Sequence, residues 1–154
     1  GFYVGATLEL SGRAVTLNAA DEWTLAVMES KPSEFPKSDS AKVIAGARSV
    51  VGALGKDATD ALRAAAAAED GKLCGGGGFA LSFESFVAVM LACPGIESGG
   101  GDFFDAQSLL TLWRSLPKVA FDPAATRAPK LATEAELNGE YVRIKDLLEA
   151  VGVL

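Results

Sequence analysis

The stretch FALSFESFVAVML, residues 79–91, carries two hydrophobic periods in one run. Leu81 and Phe83 alternate, which suits a short β segment. From Phe83 onward the apolar residues fall at i, i+3, i+4 and i+7, namely Phe83, Phe86, Val87 and Met90. That spacing is one face of a helix. It predicts a strand that turns directly into an amphipathic helix, starting near Ser82 and ending by Pro94. The same spacing returns at Val142, Ile144, Leu147, Leu148 and Val151, offset by 61 positions at every step. The strand-to-helix unit is therefore expected twice, each copy preceded by another helix.

Just upstream stand Cys74 and the glycines at 75–78. Backbone N–H groups of a glycine run beside a helix start can cradle a phosphate. This run lacks the lysine and Ser/Thr ending of a P-loop, and a strand separates it from the helix. It reads as a lengthened, inert loop.

The rest of the chain is mostly helical in pattern. Residues 1–17 form an N-terminal extension with weak alternation, and Ser11-Gly12 marks a hairpin turn. LNAADEWTLAVMES (17–30) predicts a helix capped by Asn18, with Asp21 near its positive end and Trp23, Val27 and Met28 on the apolar side. Two prolines break it in KPSEFPKSDS (31–40). The next helix puts Val43, Ala47, Val50, Val51 and Leu54 on one stripe and stops at Gly55. KDATDALRAAAAAED (56–70) follows, with Asp57 or Thr59 as cap and Leu62 as its only large apolar residue. DFFDAQSLLTLWRSLP (102–117) is the most pronounced helix pattern, capped by Asp102, with a stripe of Phe103, Phe104, Leu109, Leu110, Leu112, Trp113 and Leu116. Asp102 and Asp105 are better read as dipole partners than as a catalytic pair. Loop 117–140 is long enough that a short helix, signalled by Thr133 and Glu136, should interrupt it.

Composition removes several function classes. The chain has 154 residues, 49% of them apolar, enough for one compact domain or two small lobes. Net charge is −6, and no basic run is present, which argues against a nucleic-acid partner. The chain has no histidine, the commonest general base and transition-metal ligand. Cys74 and Cys93 form no CxxC pair, so zinc is not expected, and a reducing, cytoplasmic setting suits them. No apolar run is long enough for a membrane span. Cys74 has no histidine to activate it, which leaves a small thiol enzyme as a lesser alternative to a non-enzymatic role.

Helix, loop, short strand, helix is the EF-hand plan, and FALSFESFVAVML resembles the second half of a calmodulin-type hand. LNAADEWTLAVM is similar to the helix that opens such proteins, and residues 40–71 resemble an exit helix, a capped turn and an entry helix. The resemblance implies a mostly α fold of EF-hand-like helix-loop-helix pairs with short β segments. Residues 18–94 would form a degenerate pair, and 102–154 a third unit with 117–140 as an inserted loop. The third unit would lack a strand partner in that arrangement, and an open strand edge invites association.

A calcium loop needs about six or seven oxygens and a bidentate glutamate at its twelfth position. With Leu81 as the eighth position, the twelfth is Ser85, and the first, third and fifth are Cys74, Gly76 and Gly78. In the later copy these positions hold Asp146, Ala135, Leu137 and Gly139. Glu34 and Asp39 of the first unit do not alternate as ligands should. The resemblance thus implies degenerate hands without a cofactor. It points to a light-chain-like adaptor or scaffold that grips an amphipathic helix of a larger protein without calcium, with a cytoskeletal association. The expected groove wall is Phe86, Met90, Leu110, Trp113 and Leu147. The alternative is a weak calcium site in the third unit, using Glu140 and Asp146. The two tryptophans are expected to fill cores.

Overall fold

Ser11 and Gly12 both take positive φ, 52° and 75°. That is the two-residue hairpin turn whose twist matches its flanking strands. It joins β1 (Thr7–Leu10) to β2 (Arg13–Thr16) in an antiparallel pair, as the alternation predicts. The computed structural model describes residues 3–68, 72–74, 78–92, 105–120 and 140–152. Asp102, Phe103, Phe104, Cys93, the Thr133–Glu136 pair and most of loop 117–140 lie outside the described residues. So do the side chains of Leu54, Cys74 and Glu140.

The chain is mostly helical, with short antiparallel strand pairs. Helix α1 (Glu22–Ser30) starts later than the sequence predicts. Asp21 caps it by accepting from the Thr24 N–H at 2.7 Å. An aspartate is as good a cap as an asparagine, and this one stands next to the first helical residue. A 3-10 turn (Pro36–Ser38) leads into α2 (Ser40–Leu54), which Asp39 caps through the Lys42 N–H. Gly55, with φ 59°, closes α2 at the expected stop. Helix α3 (Lys56–Ala68) begins one residue before Asp57, which therefore lies in its first turn, and Thr59 is buried.

Strand β3 (Lys72–Cys74) pairs with β4 (Gly78–Leu81), and α4 (Phe83–Leu91) follows. The glycine run thus connects two antiparallel strands. Ser82 caps α4 by accepting from the Ser85 N–H. Helix α5 (Ala106–Ser115) is capped by Asp105, three residues past the expected Asp102. Its far end is closed by Lys118, whose Nζ donates to the Trp113 and Leu116 carbonyls at 2.5 and 2.8 Å. A cation there also suits the negative end of the dipole. Strands β5 (Val119–Ala120) and β6 (Glu140–Arg143) lead to α6 (Ile144–Ala150).

The strands form one four-stranded sheet in the order β3-β4-β6-β5, besides the separate hairpin. Its centre pairs Leu81 directly with Val142, the first residues of the two sequence repeats. Among the described residues the order helix, strand, strand, helix therefore occurs twice, as α3-β3-β4-α4 and α5-β5-β6-α6, and the central strands β4 and β6 bond to each other. This corrects the expectation that the third unit is left out of the strand pairing between units. It pairs with the second, and the first unit contributes no strand among the described residues.

One buried cluster joins both repeats. It contains Val43, Ala47 and Val51 of α2, Leu62 of α3, Leu81, Phe86, Val89 and Met90 from β4 and α4, Leu109, Leu112, Trp113 and Leu116 from α5 and the residue after it, and Val142, Ile144, Leu147, Leu148 and Val151 of the second repeat. Leu62 is fully buried, as its isolation in an alanine-rich helix predicts. Trp23 is a second correction: it is 75% exposed, and α1 turns Leu25 and Met28 inward instead.

Candidate functional site

The two repeats differ in what covers them. Ile144 and Leu148 of the second repeat are 9% and 2% exposed. Their counterparts by the same offset are Phe83 and Val87. Phe83 is 38% exposed, and Val87 is half-buried. One turn further, Leu91 is 47% exposed, where the second repeat has Gly152 in the left-handed region, φ 77°. Phe83, Val87 and Leu91 are spaced at i, i+4 and i+8, so they form one stripe along α4. The second repeat's matching face is closed from inside the chain. Its residues share the buried cluster with α2, and Arg48 of α2 donates to the Ala150 carbonyl at 2.6 Å.

The stripe is stiff underneath. Phe83 stacks on Phe86 at 6.5 Å between centroids and meets the Trp113 ring edge-on at 5.6 Å. Phe86 and Trp113 are 5.3 Å apart. Such aromatic pairs add to plain burial. The expected groove wall lies mostly beneath this surface. Phe86, Met90, Trp113 and Leu147 are buried in the core, and Leu110 is half-buried on α5. Burying these side chains stabilises the chain itself, so the accessible apolar surface is one layer further out.

The positions for calcium are otherwise engaged. Both carboxylate oxygens of Asp146 accept from Arg143, at 2.7 Å from Nε and 2.9 Å from Nη2. Ser85 accepts at its Oγ from the Ser82 hydroxyl at 3.1 Å. Glu34 pairs with Lys31 at 3.7 Å, and Asp39 is occupied in capping. Among the described residues no cluster of His, Cys, Asp and Glu has the makings of a metal site. No described helix is long and apolar enough to cross a membrane. Comparison with protein-family models, curated proteins and solved structures returns no match.

A polar seam on α5 escaped the sequence reading. Gln107 is buried, and its Oε1 accepts from the Val4 N–H at 3.0 Å. Its Nε2 donates to Ser38 Oγ at 3.1 Å, and Thr111 donates to the Lys37 carbonyl at 2.9 Å. Every buried side-chain polar atom among the described residues has a partner, so the seam carries no desolvation penalty left unmet. The signal that could have found it is a Gln and a Thr four apart, on one face of an amphipathic helix. One turn along, Arg114 holds Glu22 and Glu29 of α1 with four hydrogen bonds of 2.5 to 3.2 Å. Lys37 pairs with Asp105 and stands 4.3 Å over the Tyr3 ring. Burial opposes the Lys37 charge, but Asp105 outweighs it and raises the pKa.

Three carboxylates are depressed. The Thr24 N–H lowers Asp21, the Arg114 guanidinium lowers Glu22, and the Lys42 N–H lowers Asp39. Groups depressed in the folded state stabilise it above their unfolded values, 3.8 for Asp and 4.5 for Glu, and lose that contribution as pH falls through their folded values. The thermal midpoint is therefore expected to hold from neutrality to about pH 5 and to decline as pH drops toward about pH 3. A scanning-calorimetry series checks this. A midpoint that stays level or rises on acidification contradicts it.

Proposed function

We propose that this chain is a non-catalytic adaptor or scaffold subunit that docks a helix of a larger partner protein on the stripe Phe83, Val87 and Leu91. The asymmetry between the repeats carries the reading. The first two positions of the face are apolar in both copies and are covered far more fully in the second, and Leu91 extends the face only in the first. Because helices close the second copy, an amphipathic helix is the natural cover for the first. The exposed Glu84 and the net charge of −6 favour a partner with a basic flank. The EF-hand resemblance is part of this proposal. The pairing of β4 with β6 supports two helix-bounded units joined through short strands, although each unit carries two strands and the joined units are the second and third. Calcium independence fits the arginine-bound Asp146 and the hydroxyl-bonded Ser85.

The test is affinity capture by the wild-type chain and by a Phe83→Ser/Leu91→Ser double variant, each in calcium and in chelator. Proteins bound by the wild type should be lost by the double variant, whose fold is checked by circular dichroism because Phe83 also packs on Phe86 and Trp113. Retention should not differ between calcium and chelator. Identical protein sets for the two chains would sink the docking surface. Binding that requires calcium would favour the calcium-responsive alternative in the third unit.

A further inference from the structure

We propose that the N-terminal layer, residues 3–30, is a strap that lifts from α5 as a unit while the repeat core stays folded, with Arg114 as its latch. The buried apolar residues of this layer are Val4, Ala6, Leu25 and Met28, and none belongs to the cluster that joins the repeats. Its side-chain hydrogen bonds among the described residues converge on one face of α5, while α1 and Tyr3 also touch the 3-10 turn, Tyr3 through Lys37. Gln107 holds Val4, and Arg114, seven positions later on the same face, holds α1. At the start of α5 the layer passes close: a Cβ on Gly5, which has φ 92°, would come within 3.1 Å of the Ala106 Cβ.

The latch itself is bidentate twice over. Glu22 and Glu29 are i and i+7 on α1, so both face the same guanidinium, and Arg114 reaches both ends of the helix at once. Fork-shaped pairing of this kind fixes orientation as well as contact. Helix α1 has nine residues, too few to persist alone in water, so it depends on what holds it. Lifting the strap would uncover Leu25, Met28 and Arg114 and would free the Oε1 of Gln107, whose Nε2 stays bonded to Ser38. The repeat core, with its own sheet and buried cluster, does not need the strap to remain closed.

Hydrogen exchange read by mass spectrometry on the full chain tests this. In Arg114→Gln, amides of α1 should exchange about tenfold faster or more, while those of α4 and α6 stay within about twofold of wild type. A Glu22→Gln/Glu29→Gln double variant, which leaves Arg114 in place, should give the same local pattern. Unchanged α1 exchange in both variants would show that the guanidinium latches nothing. Equal acceleration in α1, α4 and α6 would show that the layer is part of one cooperative unit, and either result overturns the proposal.

Discussion

Replacing Phe86 with alanine will lower the unfolding free energy by about 3–5 kcal/mol. The ring is fully buried and lies between Phe83 and Trp113, so its removal deletes apolar burial and both ring contacts together. The cavity would sit where α4 and α5 meet. Neither helix can close it easily, because α5 is fixed from the other side by the Gln107 seam. Urea unfolding followed by far-ultraviolet circular dichroism should show an earlier midpoint with an unchanged slope. A loss below about 1 kcal/mol would mean that the cluster relaxes around the gap, contrary to the packing described.

Val142→Asp should abolish the fold at neutral pH. Val142 is fully buried and directly opposite Leu81 at the centre of the sheet. A carboxylate there would be set in the buried apolar cluster. An unpaired buried charge costs several kcal/mol, comparable with the whole stability of an ordinary domain. The checks are loss of the helical dichroism signal and collapse of amide proton dispersion. A cooperative transition within a few degrees of the wild type would refute the central role given to this pair.

Much of the fold could be read from the order of residues. The spacing of Leu81 to Met90 and of Val142 to Val151 located both strand-to-helix units, because burial repeats with the geometry of each element. The Ser11-Gly12 hairpin followed from turn chemistry. The errors came where local chemistry offers two equal answers. Asn18 and Asp21 are both good caps, and so are Asp102 and Asp105; tertiary bonds to Asp105 are invisible along the chain. Helix α1 carries apolar residues on more than one side, so its short pattern did not say whether Trp23 or Leu25 faces inward. The candidate site was half legible. The apolar face of α4 was evident, but which of its residues stay uncovered is set by tertiary packing, which buries Ile144 and Leu148 and leaves Phe83 and Leu91 exposed. Gln107 was missed because a single polar residue in an apolar stripe gives no period of its own.

The central strand pair also has a consequence in time. Leu81 and Val142 meet across a loop of 61 positions, while the hairpin closes Thr7 on Thr16 across nine. By the logarithmic law for loop closure, the longer closure costs roughly 2 kcal/mol more chain entropy. The hairpin is thus free to form early, yet it anchors little. The contact that unites the core spans far more chain than the hairpin does, so collapse of each half should precede their meeting. Folding speed then depends on how quickly two similar, half-finished halves find one another in antiparallel register.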